Sequence, residues 1–256
     1  MFISHQDASL YAVEFGAAPR TLVAHGGWAG SWELWTNPFT ILSKTWRTIA
    51  YDHRGTGATI APAESISLDA MTEDLFAVLD AMHVDSCVLA AESAGALVAL
   101  NAAIQRPQRF VGLVLVDGLY FKPKPPQTEP FVLGLQANFE ATIGAFVDAC
   151  VLESEPDSDQ IRRWGRHILS RASLESAVRL YECIDGIDLR PKLPSITIPT
   201  LIIHGEFDQI VPLDAAEWVS EQMPNSRLQV VKGAGHVPTV TRPQEVAEAI
   251  NAYFSA

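Results

Sequence analysis

The sequence has few cysteines and few basic residues, and each shortage excludes a class of protein. Its 256 residues include three cysteines, too few for a disulfide framework, and none has CxxC spacing. We therefore expect reduced thiols and a cytoplasmic protein. Eighteen lysines and arginines against thirty acidic residues give a net charge of −12. This balance argues against a nucleic-acid partner, which needs a basic surface, and against binding to an anionic membrane.

Long apolar runs and the common cofactor motifs are also missing. No stretch of about 18 apolar residues could form a transmembrane helix, and the amino-terminal segment lacks the features of a signal peptide. Neither GxxxxGK[ST] nor GxGxxG occurs, and the histidines show no HxH or HExxH spacing. We expect no cofactor and no metal.

Short β-type runs alternate with helical patterns along most of the chain. Strands are predicted at 9–15, 21–24, 48–51, 87–91, 111–116, 200–204 and 227–231, and helices at 68–82, 94–104, 213–222 and 243–254. This alternation predicts an α/β fold with a mostly parallel central sheet and helices on both faces. Hydrophobic residues make up 48% of the chain, enough for a large core.

The alternation is interrupted between 119 and 191. This segment begins with a proline-rich stretch and continues as helical patterns alone, at 131–150, 160–171 and 174–183. We interpret it as a helical insertion into a core formed by 1–118 and 192–256; a long crossover with extra helices is the alternative. Its apolar residues fit a pocket lining or a stripe packed on the core equally well: Phe131, Leu133, Leu135, Phe139, Ile143 and Phe146.

The segment AESAG at 91–95 carries the strongest chemical signal. A predicted strand ends, a helix begins, and Ser93 lies at the turn between Ala91 and Gly95. Such a turn projects a serine hydroxyl above the sheet, beside the positive end of the helix. An ordinary helix N-cap is the alternative for Ser93. Glu92, directly before it, is expected to make a supporting hydrogen bond.

A nucleophilic serine needs a base and a group that orients the base. Asp208 follows a predicted strand in GEFDQIVP, and His236 lies in the glycine-rich loop GAGHVP after the next strand. Both would lie at the carboxyl ends of strands, where sites gather in open α/β sheets. Asp117, which follows another strand, is the alternative acid.

The segment HGGWAGSW after the 21–24 strand is interpreted as the upstream half of an oxyanion hole. We predict that the Gly27 amide binds the oxyanion together with the amide of Ala94, with Trp28 as the second choice of donor. Trp28 itself is expected to form an apolar wall of the acyl pocket. Asp52 and Arg54 in the DHRGTG turn are expected to brace the loop through a charged hydrogen bond.

Together these motifs resemble the α/β-hydrolase-fold serine hydrolases, a family that includes carboxylesterases and lactonases. The resemblance covers nearly the whole chain: HGG at 25–27, DHRGTG at 52–57, AESAG at 91–95, GEFDQIVP at 205–212 and GAGHVP at 233–238. Ala91 replaces the first glycine of GxSxG. The insertion at 119–191 matches the family's helical cap in position and length.

The resemblance implies a serine esterase with Ser93, Asp208 and His236 as triad. The predicted substrate is a carboxylic ester with a small to medium acyl chain. Lactone hydrolysis, for example of acyl-homoserine lactones, and a receptor with slow turnover are the alternatives. The motifs specify the nucleophile but neither the ester nor the oligomeric state.

Overall fold

The computed structural model describes residues 1–255, and an eight-stranded sheet forms its centre. The strands are β1 (Phe2–His5), β2 (Ala8–Phe15), β3 (Thr21–His25), β4 (Arg47–Asp52), β5 (Cys87–Glu92), β6 (Phe110–Val116), β7 (Thr200–Gly205) and β8 (Ser226–Val231). Their order across the sheet is β1-β2-β4-β3-β5-β6-β7-β8. Strand β2 is antiparallel to both neighbours, and the strands from β4 to β8 pair in parallel. The predicted mostly parallel sheet is confirmed.

Ten α-helices accompany the strands in the described part of the chain. They are α1 (Thr36–Leu42), α2 (Leu68–Ala81), α3 (Gly95–Gln105), α4 (Pro130–Ala137), α5 (Phe139–Cys150), α6 (Ser158–Leu169), α7 (Leu174–Glu182), α8 (Leu213–Gln222), α9 (Pro238–Thr241) and α10 (Pro243–Phe254). Among residues 1–255, no helix combines the length and apolar character that a membrane crossing requires.

The central strands are buried on both faces, which explains why their sequences lack a polar alternation. Along β5, Val88 and Ala90 belong to one hydrophobic cluster, while Leu89 and Ala91 belong to the cluster on the other side. Helices then cover each face of the sheet, so both faces contribute to the core.

A third hydrophobic cluster joins the segment between β6 and β7 to the rest of the chain. It combines Leu135, Ile143 and Leu180 of this segment with Leu97 of α3 and Met71 of α2. The same cluster includes Trp28 and Ala94, which follow β3 and β5, so this helical segment packs over the carboxyl ends of those strands.

The structure differs from the sequence predictions at one strand and one helix, and it shows how Asp52 and Arg54 are bonded. The strand β1 was not predicted, and the single helix expected at 131–150 is two helices, α4 and α5. Asn138 separates them with an extended backbone (φ −156°), and its side chain accepts a hydrogen bond from the Ala141 N–H as the N-cap of α5. Asp52 and Arg54 both make charged hydrogen bonds, but with separate partners. Asp52 accepts from the N–H groups of Trp32 and Ala58. Arg54 Nε lies 2.6 Å from Oδ2 of the buried Asp74.

Candidate active site

Ser93 occupies a tight turn between β5 and α3. Its φ of +53° lies in the left-handed region, which is strained for a residue with a side chain. The Ser93 N–H donates to Val116 O on β6 at 2.9 Å, and this bond anchors the turn. A Cβ on Gly95 would lie 2.4 Å from Gly26 O, so only glycine lets the helix approach the β3 loop this closely. The position of Ala91, inside the buried strand, also suits a small side chain.

Ser93, His236 and Asp208 are joined by hydrogen bonds. Ser93 Oγ lies 2.9 Å from His236 Nε2, and His236 Nδ1 lies 2.7 Å from Asp208 Oδ2. The other carboxylate oxygen of Asp208 accepts from the N–H groups of Ile210 and Val211. These bonds fix the carboxylate beside the imidazole. With its proton on Nδ1, His236 leaves Nε2 free to accept the serine proton.

Asp117 lies behind this group, at the end of β6. Its Oδ1 accepts from Gly205 N at 2.8 Å, and Oδ2 has no partner within residues 1–255. His204 lies between the two acids, with Nδ1 3.6 Å from Asp117 and Nε2 3.4 Å from Asp208. Burial and the nearby Asp208 raise the pKa of Asp117 well above its usual value. Asp117 forms no hydrogen bond with His236, so the geometry favours Asp208 as the orienting acid.

The same region holds the one group of three potential metal ligands among the described residues. Ligand atoms of Asp117, Asp208 and His236 lie within 4.8 Å of one another. Asp208 and His236, however, use their facing atoms on each other. The hydrogen-bonded arrangement therefore explains these side chains without an ion.

The Gly27 loop passes directly over Ser93. A Cβ built on Gly27 would lie 3.1 Å from the Ser93 Cβ and 3.8 Å from its Oγ. Neither the Gly27 amide nor the Ala94 amide donates a hydrogen bond to a residue that the structure describes. Both N–H groups are thus available beside the serine, as an oxyanion hole requires.

His53 supports this loop, a role that the sequence did not indicate. Its Nε2 lies 3.0 Å from Gly27 O, and its ring stacks on His25 with centroids 4.8 Å apart. Burial lowers the pKa of both imidazoles, that of His25 to about 3, so both rings are neutral. His25 is therefore a structural residue of this loop.

Two cavities meet at Ser93. The smaller, about 600 Å³ including space open to solvent, is lined by Gly27, Ser93, His236 and mainly apolar side chains of α5 and α6. The larger, about 1600 Å³ including space open to solvent, is lined by the proline-rich segment 119–126, by α7 and by the loop after Asp208. Trp28 and Phe146 line both cavities, with ring centroids 5.2 Å apart. These two side chains therefore lie where the two cavities meet.

The six apolar residues expected either to line a pocket or to pack on the core divide between these roles. Phe131 and Phe146 line the cavities and also pack against the third cluster, whereas Leu135 and Ile143 are buried in that cluster and Phe139 only packs against it. Leu133 is 53% exposed and takes neither role.

The loop that carries His236 is bonded to the end of α5. The His236 N–H donates to Cys150 O at 2.8 Å. A Cβ on Gly235 would lie 2.5 Å from the same oxygen, so glycine is required for this approach. The Cys150 carbonyl is thus a supporting group for His236 that no sequence motif could indicate, because a backbone atom has no residue signature.

The family model of the α/β hydrolase fold matches residues 20–243. The chain belongs to the α/β hydrolase fold family. Within this family it is 28% identical over 255 residues to the "Putative carbamate hydrolase RutD" of Pseudomonas syringae pv. syringae, covering 96% of this chain and 97% of that protein. It is also 28% identical over 256 residues to the pimeloyl-[acyl-carrier protein] methyl ester esterase of Aeromonas hydrophila, covering 94% of this chain and 98% of that one.

A solved esterase from Exiguobacterium antarcticum has the same fold. It superimposes with a TM-score of 0.91 at 23% identity, over 100% of this chain and 99% of that chain. At 23% identity this similarity shows a shared fold, whereas the chemistry of this chain depends on its own side chains.

Proposed function

We propose that the protein is a serine hydrolase that cleaves carboxylic esters of small to medium acyl chain through Ser93, His236 and Asp208. The single observation that supports this most is the unbroken hydrogen-bonded chain from Ser93 Oγ through His236 to Asp208. The two relatives at 28% identity, one named an esterase and one a carbamate hydrolase, support hydrolysis at an acyl carbon.

In the proposed mechanism His236 takes the Ser93 proton as the hydroxyl oxygen attacks the ester carbonyl. Asp208 holds the imidazole in the required tautomer and stabilises the imidazolium. The Gly27 and Ala94 amides bind the oxyanion of the tetrahedral intermediate. His236 then protonates the leaving alcohol. In the second step His236 deprotonates a water molecule, which attacks and cleaves the acyl-enzyme. This sequence needs no cofactor.

The two cavities support a substrate with groups on both sides of the scissile bond. Since the two cavities meet at Ser93, beside Trp28 and Phe146, the acyl and alcohol groups would occupy different cavities. We propose a small-molecule ester or lactone as the partner. A nucleic acid or membrane partner is not part of the proposal. A cytoplasmic location is part of the same proposal, and the three unpaired cysteines support it.

The decisive experiment combines a covalent probe with Ser93→Ala. A fluorophosphonate should label the wild type at Ser93 and leave the variant unlabelled. Hydrolysis of p-nitrophenyl butyrate should fall by about 10⁶-fold in kcat, as for other serine triads, while the thermal unfolding curve stays cooperative. Retained turnover in a folded variant would contradict the proposal.

A substrate panel separates esterase from the alternatives. Linear esters and lactones should be compared at matched acyl length, because one triad opens both. A kcat/KM of about 10⁴ M⁻¹s⁻¹ or more on an ester fits an enzyme. Values below about 10² M⁻¹s⁻¹ on every compound, with ligand-dependent shifts in Tm, would instead indicate a receptor.

A further inference from the structure

Glu92 is a buried acid beside the nucleophile that the proposed mechanism does not use. The residue is 1% exposed and lines the smaller cavity together with Ser93 and His236. Its Oε2 accepts a hydrogen bond from Thr239 Oγ1 at 3.0 Å. This is the one hydrogen bond of the Glu92 carboxyl group among residues 1–255, so Oε1 has no partner there, and no described lysine or arginine forms an ion pair with it. Glu92 is therefore a buried acid with one oxygen unused.

The surroundings of Glu92 favour the neutral carboxyl. The titratable groups near it are Asp117, the Cys150 thiol and His236, and none is a fixed cation. A buried charge without a partner is strongly unfavourable. Burial accordingly raises the pKa of Glu92 to about 8. Near pH 7 the group therefore carries a proton and can donate a hydrogen bond.

The rest of the smaller cavity offers few polar side chains. Apart from Ser93 and His236, its lining is dominated by aliphatic and aromatic groups such as Phe146, Val147 and Ile168. Because Thr239 satisfies Oε2, the proton of the neutral acid belongs on Oε1. An O–H group in an apolar cavity is costly unless it meets an acceptor.

We propose that Glu92 is a specificity-determining residue whose Oε1–H donates a hydrogen bond to an acceptor atom on the substrate group in the smaller cavity. The substrate class is then an ester that carries an ether, hydroxyl or carbonyl oxygen in that group, rather than a plain alkyl chain. This inference rests on the proposed esterase function and specifies its substrate.

The test compares isosteric ester pairs that differ by one ether oxygen. On the acyl side the pairs are p-nitrophenyl methoxyacetate against butyrate, and 3-methoxypropionate against valerate. On the alcohol side the pair is 2-methoxyethyl acetate against butyl acetate, so that either orientation of the substrate is covered. The measured quantity is the ratio of kcat/KM within each pair, which cancels effects common to both substrates.

Wild type, Glu92→Gln and Glu92→Leu are compared at pH 7, with Glu221→Gln on the exposed surface of α8 as control. In at least one pair the ether preference should be about five- to tenfold higher in wild type than in Glu92→Leu. Glu92→Gln should retain it, since an amide N–H replaces the carboxyl O–H. Glu221→Gln should match the wild type.

A second arm follows the same ratios from pH 6 to pH 9.5. The wild-type preference should fall above pH 8, because the ionised carboxyl has no proton to donate. The preference of Glu92→Gln should stay constant. A merely structural Glu92 would not produce this difference, and this comparison decides the question even if Glu92→Leu fails to fold.

Equal, pH-independent ratios in wild type and Glu92→Gln, together with turnover of the plain esters, would overturn the inference and leave the esterase proposal intact. The absence of turnover on every ester would overturn both. The two failures are therefore distinguishable in one data set.

Discussion

Asp208 and Asp117 both have buried side chains near His236, and one of them bonds its ring. Asp208 Oδ2 lies 2.7 Å from Nδ1, while Asp117 is bonded to the backbone of Gly205. Asp208→Asn should lower kcat on p-nitrophenyl butyrate by about 10⁴-fold, because the amide selects the wrong imidazole tautomer. Asp117→Asn, the matched variant, keeps an oxygen for the Gly205 N–H and should keep kcat within about tenfold of the wild type.

Equal losses in the two variants would make Asp117 part of the catalytic group, and a larger loss in Asp117→Asn would reverse the assignment. Steady-state kinetics measures kcat for both variants, and circular dichroism checks that each variant is folded.

At the residue scale, the sequence was informative where side chains form motifs. Ser93, Asp208 and His236 were each predicted from a strand end followed by a turn or a glycine-rich loop, and the structure brings them together. The supporting groups were not predicted. His53 and Cys150 act through contacts with the Gly27 carbonyl and the His236 N–H, which depend on loops distant in the chain.

The contact between the His236 loop and α5 gives a prediction at the scale of elements. Gly235→Ala introduces a methyl group 2.5 Å from Cys150 O, so the loop and the helix end must move apart. A displacement of about 1 Å at His236 should lower kcat by about 10²-fold. The Tm should fall as well, since the bond to the His236 N–H is strained.

Gly144→Ala within α5 is the matched control. A Cβ there meets only Arg166 Nε at 3.5 Å, so the change should raise the stability of the protein by about 0.5–1 kcal/mol through helix propensity. Calorimetry and steady-state kinetics on both variants test the pair. Unchanged kcat and Tm in Gly235→Ala would show that the contact does not position His236.

Element types were predictable wherever a strand is buried on both faces or a helix is amphipathic. Helices α8 and α10 have the predicted bounds, Leu213–Gln222 and Pro243–Phe254. The break at Asn138 was missed because apolar spacing continues through it, whereas the extended backbone and the N-cap hydrogen bond of Asn138 interrupt the helix. Strand β1 was missed because it is short and lies at the sheet edge beside β2.

At the scale of the whole molecule, the raised pKa of the buried Glu92 makes the stability of the fold depend on pH. Burial raises the pKa of Glu92 from the ordinary value of 4.5 to about 8. Between these values the folded chain holds a proton that the unfolded chain has lost. This contribution to stability is therefore complete below pH 4.5 and decreases as pH rises towards 8, by at most about 1.4 kcal/mol per pH unit.

A glutamine at position 92 has no titratable carboxyl group, so this proton uptake is absent from both the folded and the unfolded state of Glu92→Gln. The difference in unfolding free energy between the variant and the wild type should therefore rise in favour of the variant from pH 5 to pH 8, then level off. Urea unfolding at each pH measures it, and Glu221→Gln on exposed α8 should show a difference that does not vary with pH. A flat difference for Glu92→Gln would mean that Glu92 is ionised in the folded protein at pH 7.

The bond between Cys150 O and the His236 N–H also bears on how such proteins can be recombined. The segment between β6 and β7 supplies the carbonyl, and a loop after β8, more than 80 residues later in the chain, supplies the amide. Exchanging that segment for one from another hydrolase would put a foreign backbone against the histidine. A working chimera would have to inherit both partners together, so the helical segment and the GAGHVP loop form one unit of exchange although the sequence separates them.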